Sequence, residues 1–235
     1  MAIIDAMGFR GIWERYDPNH VLNALKNMKG WFEQRIQHQF STQPCMKCAV
    51  AFLSDTIAVS MSLEGSIENR EAMSVIYLGD VISWVLDRAL RSNFPLAYRG
   101  TIAVGNYEIS SNFLIGGAID EAASLHELAQ GAFIWLAPQA RDYVAHWLQN
   151  QPHNTHFVKF DVPLKGGGTF NTYTVSPLEQ TRNENDANDL AEKLIGTFCN
   201  FPVNVAIKRQ NTLKHLQACY KWRNYHFSDE LSVLL

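Results

Sequence analysis

Apolar residues in this chain alternate between two spacings, and the order in which those spacings occur limits the folds open to it. Residues 1–7 are apolar around a single acid, Asp5, as in a short buried strand. Gly8 and Gly11 interrupt the pattern, and Asp17-Pro18-Asn19 is a helix start with proline in the first turn. Val21, Leu22, Leu25, Met28, Phe32, Ile36 and Phe40 then recur at helical spacing up to a loop holding Pro44. Cys48 to Leu53 and Ile57 to Leu63 have strand length and character, which predicts a β-hairpin or a bent strand pair with Asp55 at or near the turn. Residues 67–93 form one long amphipathic helical pattern, ended by Pro95.

Further strands are expected over Tyr98–Val104, around Tyr107–Ser110, and over Ala132–Leu136. An alanine-rich helix is expected over 117–130 and another from Pro138 to about Gln149. Phe157–Leu164 and Thr169–Val175 flank Gly166-Gly167-Gly168 and read as a hairpin. Arg182–Asp189 is polar and reads as loop, followed by helices over about 187–200 and 205–223. No internal repeat is visible. The order predicts an α/β protein, an α+β sandwich with a mixed sheet and helices packed over it, plus a C-terminal helical extension. Residues 1–178 are expected to form the main domain, with 179–235 packed on the same domain.

At 235 residues the chain is long enough to bury a core without staples. Its 47% hydrophobic and 18% charged residues exclude disorder. With 20 basic and 23 acidic residues the net charge is −3, so no basic excess points to nucleic acid or a polyanionic membrane. There is no transmembrane-length apolar run, and the start MAIIDAMGFRG lacks a basic n-region, so a cytoplasmic protein is expected. Cys45 and Cys48 could be half a zinc site, but Cys199 and Cys219 lie 20 apart and supply no second pair; reduced thiols are the plainer reading. The eight histidines are scattered, and none stands in a ligand motif. The basic residues from Lys208 to Arg223 are spread around a helix and read as a solvated face.

Two acids stand out because each interrupts apolar strand sequence. A carboxylate so close to a core is costly unless it is paired, caps a turn or helix, or binds a metal. Two carboxylates about 4 Å apart repel by roughly 4 kcal/mol at an effective dielectric of 20, and a divalent cation between them reverses that sign. Oxygen ligands suit Mg²⁺ or Mn²⁺. The turn after Asp5 adds a second feature: Gly8 lets backbone approach closely, its N–H groups could face a phosphate, and Arg10 could add a charge-assisted contact. No P-loop, dinucleotide-binding glycine fingerprint or hydrolase nucleophile motif is present.

Asp5-Ala6-Met7-Gly8-Phe9 resembles the first metal motif of the class III nucleotidyl cyclases, and Leu53-Ser54-Asp55-Thr56 resembles their second, about fifty residues later. Arg99-Gly-Thr-Ile-Ala-Val-Gly105, Gly116-Gly-Ala-Ile-Asp120-Glu-Ala-Ala123 and Lys165-Gly-Gly-Gly-Thr-Phe-Asn-Thr-Tyr173 resemble three further motifs in the same order. The variants GFRGIW, LSDTI, YRGTIAVG and NFLIGGAIDEAA are most similar to the bacterial Pycsar antiphage cyclases, which make cyclic UMP or cyclic CMP.

The resemblance implies a uridylate or cytidylate cyclase that acts in antiphage defence as a second-messenger synthase, its product read by a separate effector. It implies two divalent ions, Mn²⁺ or Mg²⁺, held by Asp5, Asp55 and the Ala6 carbonyl. It also implies a homodimer with shared active sites. Phe9, Arg10, Ala51, Phe113, Asp120 and Lys165 become candidate substrate-binding positions, and Arg99 a candidate catalytic cation. The chain departs from the pattern in several places, and of the closing K-G-K-G only the first lysine is kept, as Lys165. Ala51 and Phe113 stand where purine cyclases carry polar base readers, which suits a pyrimidine pocket. Asp120 stands at the transition-state asparagine, and Ser124 at the catalytic arginine, for which Arg99 or Arg10 would have to substitute. A cyclase-like module that binds a nucleotide or partner without turnover is the alternative.

Overall fold

A computed structural model describes residues 1–9, 12, 16–110, 113–150, 156–198, 203–228 and 231. The side chains of Ser110, Phe113, Gln149, Asn150, Val203 and Asn204 fall outside that description, as do Arg10 and Cys199.

The first strand, β1 (Ala2–Ala6), is buried on both faces because it lies in the middle of the sheet. Helix α1 (Pro18–Phe40) begins as its sequence dictates: the Asp17 side chain accepts from the His20 N–H at 3.0 Å, and Pro18 occupies the first turn. Its buried residues Val21, Met28 and Phe32 lie on one stripe. Strands β2 (Met46–Leu53) and β3 (Thr56–Leu63) pair from Leu53 opposite Thr56, leaving Ser54 and Asp55 as a two-residue turn. Ser54 takes a positive φ of 64°, the conformation such hairpin turns require.

Helix α2 (Arg70–Arg91) buries most of its circumference, since β3, α1 and two later helices, 138–150 and 184–196, all pack against it. A Cβ at Gly79 would run into the rings of His156 and Phe157, so this glycine sets how closely α2 approaches the strand below. Strand β4 (Tyr98–Ile102) lies antiparallel to β1 on the side away from β3. Strands β5 (Glu108–Ser110) and β6 (Phe113–Ile115) form a separate hairpin, and helix α3 (Gly117–Leu125) follows Gly116, whose φ is 130°. Strand β7 (Ile134–Leu136) runs parallel to β4. Helix α4 (Pro138–Asn150), the hairpin β8 (Phe157–Pro163) and β9 (Thr169–Val175), and helices α5 (Glu184–Gly196) and α6 (Val203–Arg223) complete the fold.

The main sheet has seven strands in the order β2-β3-β1-β4-β7-β9-β8 among the described residues, and it is mixed because only the β4–β7 pair is parallel. Ile4, Val59, Tyr98 and Leu136 bury one face with α1, α2 and α4, while Ile3, Ala58 and Ala103 pack beneath α3 on the other. Helices α5 and α6 join Leu90 of α2 and Val158 of β8 in one further cluster. The α/β class with a mixed sheet under helices is therefore as expected.

Three local expectations change. The helix expected over 117–130 ends at Leu125, because residues 128–130 turn to bond with the β8–β9 hairpin instead: Leu128 accepts from Lys165 N–H at 2.8 Å and Gln130 N–H donates to Pro163 at 2.9 Å. The stretch read as loop to Asp189 is helical from Glu184. Asn183 caps it by accepting from Asp186 N–H at 3.0 Å, and acids in the first turn suit the helix dipole. The basic face expected over Lys208–Arg223 is only partly solvated: Leu213, Leu216 and Tyr220 bury one side, and Arg223 reaches Glu179 and the Thr181 carbonyl.

Candidate active site

The end of β1 carries Asp5, and strand register determines its neighbours. Thr56 lies opposite it on β3 and Arg99 opposite it on β4. Its Oδ1 accepts from Thr56 Oγ1 at 3.2 Å, and its Oδ2 accepts from Arg99 Nη2 at 3.2 Å. One residue on, Ala6 N–H donates to the Asp55 carbonyl at 3.1 Å, which ties the β2–β3 turn to the end of β1. Met7 N–H then donates to Ala97 at 2.7 Å, and Gly8, at φ 74°, turns the chain out of the sheet. Two acids fifty positions apart thus come to one end of the sheet through three hydrogen-bonded strands.

Their electrostatics differ. Burial raises the Asp55 carboxyl above the ordinary aspartate range, and the charge of Asp5 raises it further, against hydrogen bonds from its own backbone and Ser54. No ion pair compensates Asp55 among the described residues. Asp5 instead has Arg99, and the side chains of this pair are 15% and 12% exposed. Arg99 Nη2 is shared: it also donates to Glu127 Oε1 at 2.8 Å, while Glu127 Oε2 lies 3.6 Å from Lys165 Nζ. Arg99, and then Lys165, hold the Glu127 carboxyl below its usual range. Asp5, His126 and Glu127 bring possible ligand atoms within 4.8 Å of one another.

Glu127 is the residue that sequence reasoning missed. A helix running to 130 places it on an exposed helical face; the early end of α3 swings it onto Arg99. Among the other expected positions, Lys165 sits at the mouth of the β8–β9 hairpin and joins the cluster through Glu127. Ala6 and Phe9 are buried in the core on the α1–α2 face, and Ala51 is buried opposite Ala58 on the α3 face. Asp120 is exposed in the first turn of α3. Ser124 is exposed one turn later, its Oγ donating to the Glu121 carbonyl at 2.8 Å. No hydrogen bond or ion pair joins Asp120, Ser124 or Ala51 to Asp5, Asp55 or Arg99 among the described residues. Arg10 and the side chain of Phe113 lie outside the described residues.

The donors at this end suit a hard divalent cation: the Asp5 and Asp55 carboxylates and the Ala6 carbonyl offer oxygen only. An uncompensated Asp55 beside a second carboxylate is the observation that favours one. A cavity of about 1070 Å³ opens at the other end of the same strands beside Met1, Met46, Leu63 and Gly105; neither acid lines it. No helix among the described residues is long and apolar enough to cross a membrane.

No protein-family model matches the chain, and no curated protein matches it. Among solved structures, it is similar to the catalytic core of a rhodopsin-guanylyl cyclase with converted specificity in complex with ATPαS. That match has a TM-score of 0.49 and 13% identity, covering 74% of this chain and 92% of that one. It is also similar to the guanylyl cyclase Cya2, with a TM-score of 0.47 and 14% identity, covering 77% of this chain and 93% of that one.

Proposed function

We propose that the chain is a metal-dependent pyrimidine nucleotide cyclase, which closes UTP, or secondarily CTP, to its 3′,5′-cyclic monophosphate and releases pyrophosphate. The observation that carries this reading is the convergence of Asp5 and Asp55, with Asp55 left uncompensated. In the reaction the ribose 3′-oxygen loses its proton to solvent and bonds to the α-phosphorus, while the bond from that phosphorus to the leaving pyrophosphate oxygen breaks. Asp5, Asp55 and the Ala6 carbonyl would hold the divalent ions, which would neutralise phosphate charge and acidify the hydroxyl when bound. Positioning and electrostatics are the protein's main contribution to such a transfer. Arg99 and Lys165 offer cations to the phosphates. Ala51 and Phe113 present no hydrogen-bonding side chain to a base, and a purine edge left unpaired there costs about 1–3 kcal/mol. By the resemblance of its motifs the product is a second messenger of antiphage defence.

A second reading has one specific observation in its favour. Ser124, at the arginine position of the cyclases, spends its hydroxyl on its own helix, and Arg99 is already engaged by two carboxylates. A module so built binds a nucleotide without turning it over. Incubation with each of the four nucleoside triphosphates and Mn²⁺, read by mass spectrometry, separates the two. Cyclic UMP or CMP is expected, and cyclic AMP made equally well overturns the pocket assignment. Asp55→Ala should abolish synthesis and leave the fold intact; activity above about a tenth of wild type would overturn the metal assignment.

A further inference from the structure

Helix α6 lies outside the motifs that carry the cyclase resemblance, yet it is fastened directly behind the Arg99–Glu127–Lys165 cluster. Asn211 Nδ2 donates to the Gln130 carbonyl at 2.7 Å, and Thr212 Oγ1 accepts from Ala132 N–H at 2.9 Å. The segment so gripped follows Glu127 by three to five residues, and its other edge is bonded to the hairpin that bears Lys165. Lys208 stands one helical turn before Asn211 and Thr212, on the same side of α6. Thr212 Oγ1 also donates back to the Lys208 carbonyl at 2.8 Å, which fixes that turn.

We propose that Lys208 of α6 joins Arg99 and Lys165 in a three-cation site for the polyphosphate tail of a nucleoside triphosphate, the tail displacing Glu127 from between them. This rests on the nucleotide-cyclase reading above. Three observations support it. Lys208 is partly buried, and burial together with the charges of Arg99 and Lys165 pushes its ammonium below the usual lysine range, Glu127 alone opposing. Like charges gathered behind one half-exposed carboxylate are costly until a second anion arrives. Among the described residues Lys208 makes no ion pair within 4 Å, and Glu127 attracts it only at longer range. Arg99 also keeps a buried Nε with no hydrogen-bond partner, a donor left unsatisfied. A polyphosphate has enough oxygens for all three cations, with charge-assisted bonds from each.

The test is calorimetric titration of the full-length protein with inorganic tripolyphosphate in metal-free buffer, beside the nucleotide assay. Lys208→Gln should weaken tripolyphosphate binding about tenfold, equivalent to about 1.4 kcal/mol, and raise KM for the nucleotide more than it lowers kcat. Lys208→Arg should bind within about twofold of wild type, and Glu127→Gln should bind more tightly, a gain that a merely structural role for Glu127 does not give. Lys214→Gln, an exposed lysine on the same helix, controls for non-specific charge. Wild-type and Lys208→Gln proteins of equal affinity, or a wild type that binds no tripolyphosphate, overturn the site even if cyclisation is observed. Lys208-dependent binding in a protein that cyclises none of the four nucleotides overturns the cyclase reading and leaves the anion site standing.

Discussion

Arg99 decides the charge balance at the candidate site. Its guanidinium is the counter-ion of Asp5 and Glu127 together, and both ends of the Asp5 pair are mostly out of water. Removing one partner of a buried pair costs about 3–5 kcal/mol, because the other charge is left behind. Here Thr56 still bonds Asp5 and Glu127 is 54% exposed. Arg99→Met should therefore destabilise by a smaller amount, about 2–3 kcal/mol by urea denaturation. Adding Asp5→Asn should recover most of that loss, since the stranded carboxylate goes with it; a double variant no more stable than Arg99→Met would contradict the charge assignment. Asp5 and Asp55 were legible in sequence because an acid inside apolar strand sequence has few inexpensive explanations. Arg99 was legible only through the motif that holds it. Glu127 was not legible, since its role depends on where α3 stops and not on any local signal.

At the scale of elements, long periods were readable and short ones were not. The helices α1 and α2 and both long hairpins follow from spacing, capping and turn residues, whereas the three-residue β6 has too little pattern to declare itself. The early end of α3 is a tertiary effect: Ala129 gains a bridge to Leu164 that helical continuation would forgo. Helix α6 was placed correctly but its burial was misjudged, and His215 shows why. It is buried between Phe133 and Phe160, with Nε2 2.8 Å from Thr174 Oγ1 and Nδ1 without a partner. Burial lowers its pKa to about 3, so the fold holds it neutral. An unfolded histidine protonates near 6.5. Its contribution to stability is thus fully present above pH 6.5 and is lost as pH falls toward 3, at up to about 1.4 kcal/mol per pH unit. His215→Leu keeps the apolar contacts and leaves Thr174 its bond to the Val158 carbonyl at 3.1 Å. The urea midpoint of this variant should fall less steeply than that of wild type between pH 6.5 and 4.5. Parallel slopes would mean that His215 does not carry the acid sensitivity.

For the whole molecule, the question is whether one chain holds a complete site. Asp5, Asp55 and Arg99 are joined within one sheet end, while Asp120 and Ser124 on α3 make no bond to any of them among the described residues. Leu53, beside the Asp55 turn, is 40% exposed, and Ile115, at the end of β6, is 64% exposed. One apolar surface thus lies beside the Asp55 turn and the other just before α3. A two-fold dimer that set β6 and α3 of one protomer against the β2–β3 turn of the other would cover both and generate two equal sites. The geometry then makes complementation selective. Asp55→Ala mixed with Phe113→Asp should restore up to about a quarter of wild-type activity, because random pairing makes half the dimers mixed and each mixed dimer has one intact site. Asp55→Ala mixed with Arg99→Ala should restore nothing, because Arg99 binds Asp5 of its own chain and both lesions fall on the same half. Recovery in the second mixture would place Arg99 across the interface. A fully active monomer by light scattering would remove the shared site altogether.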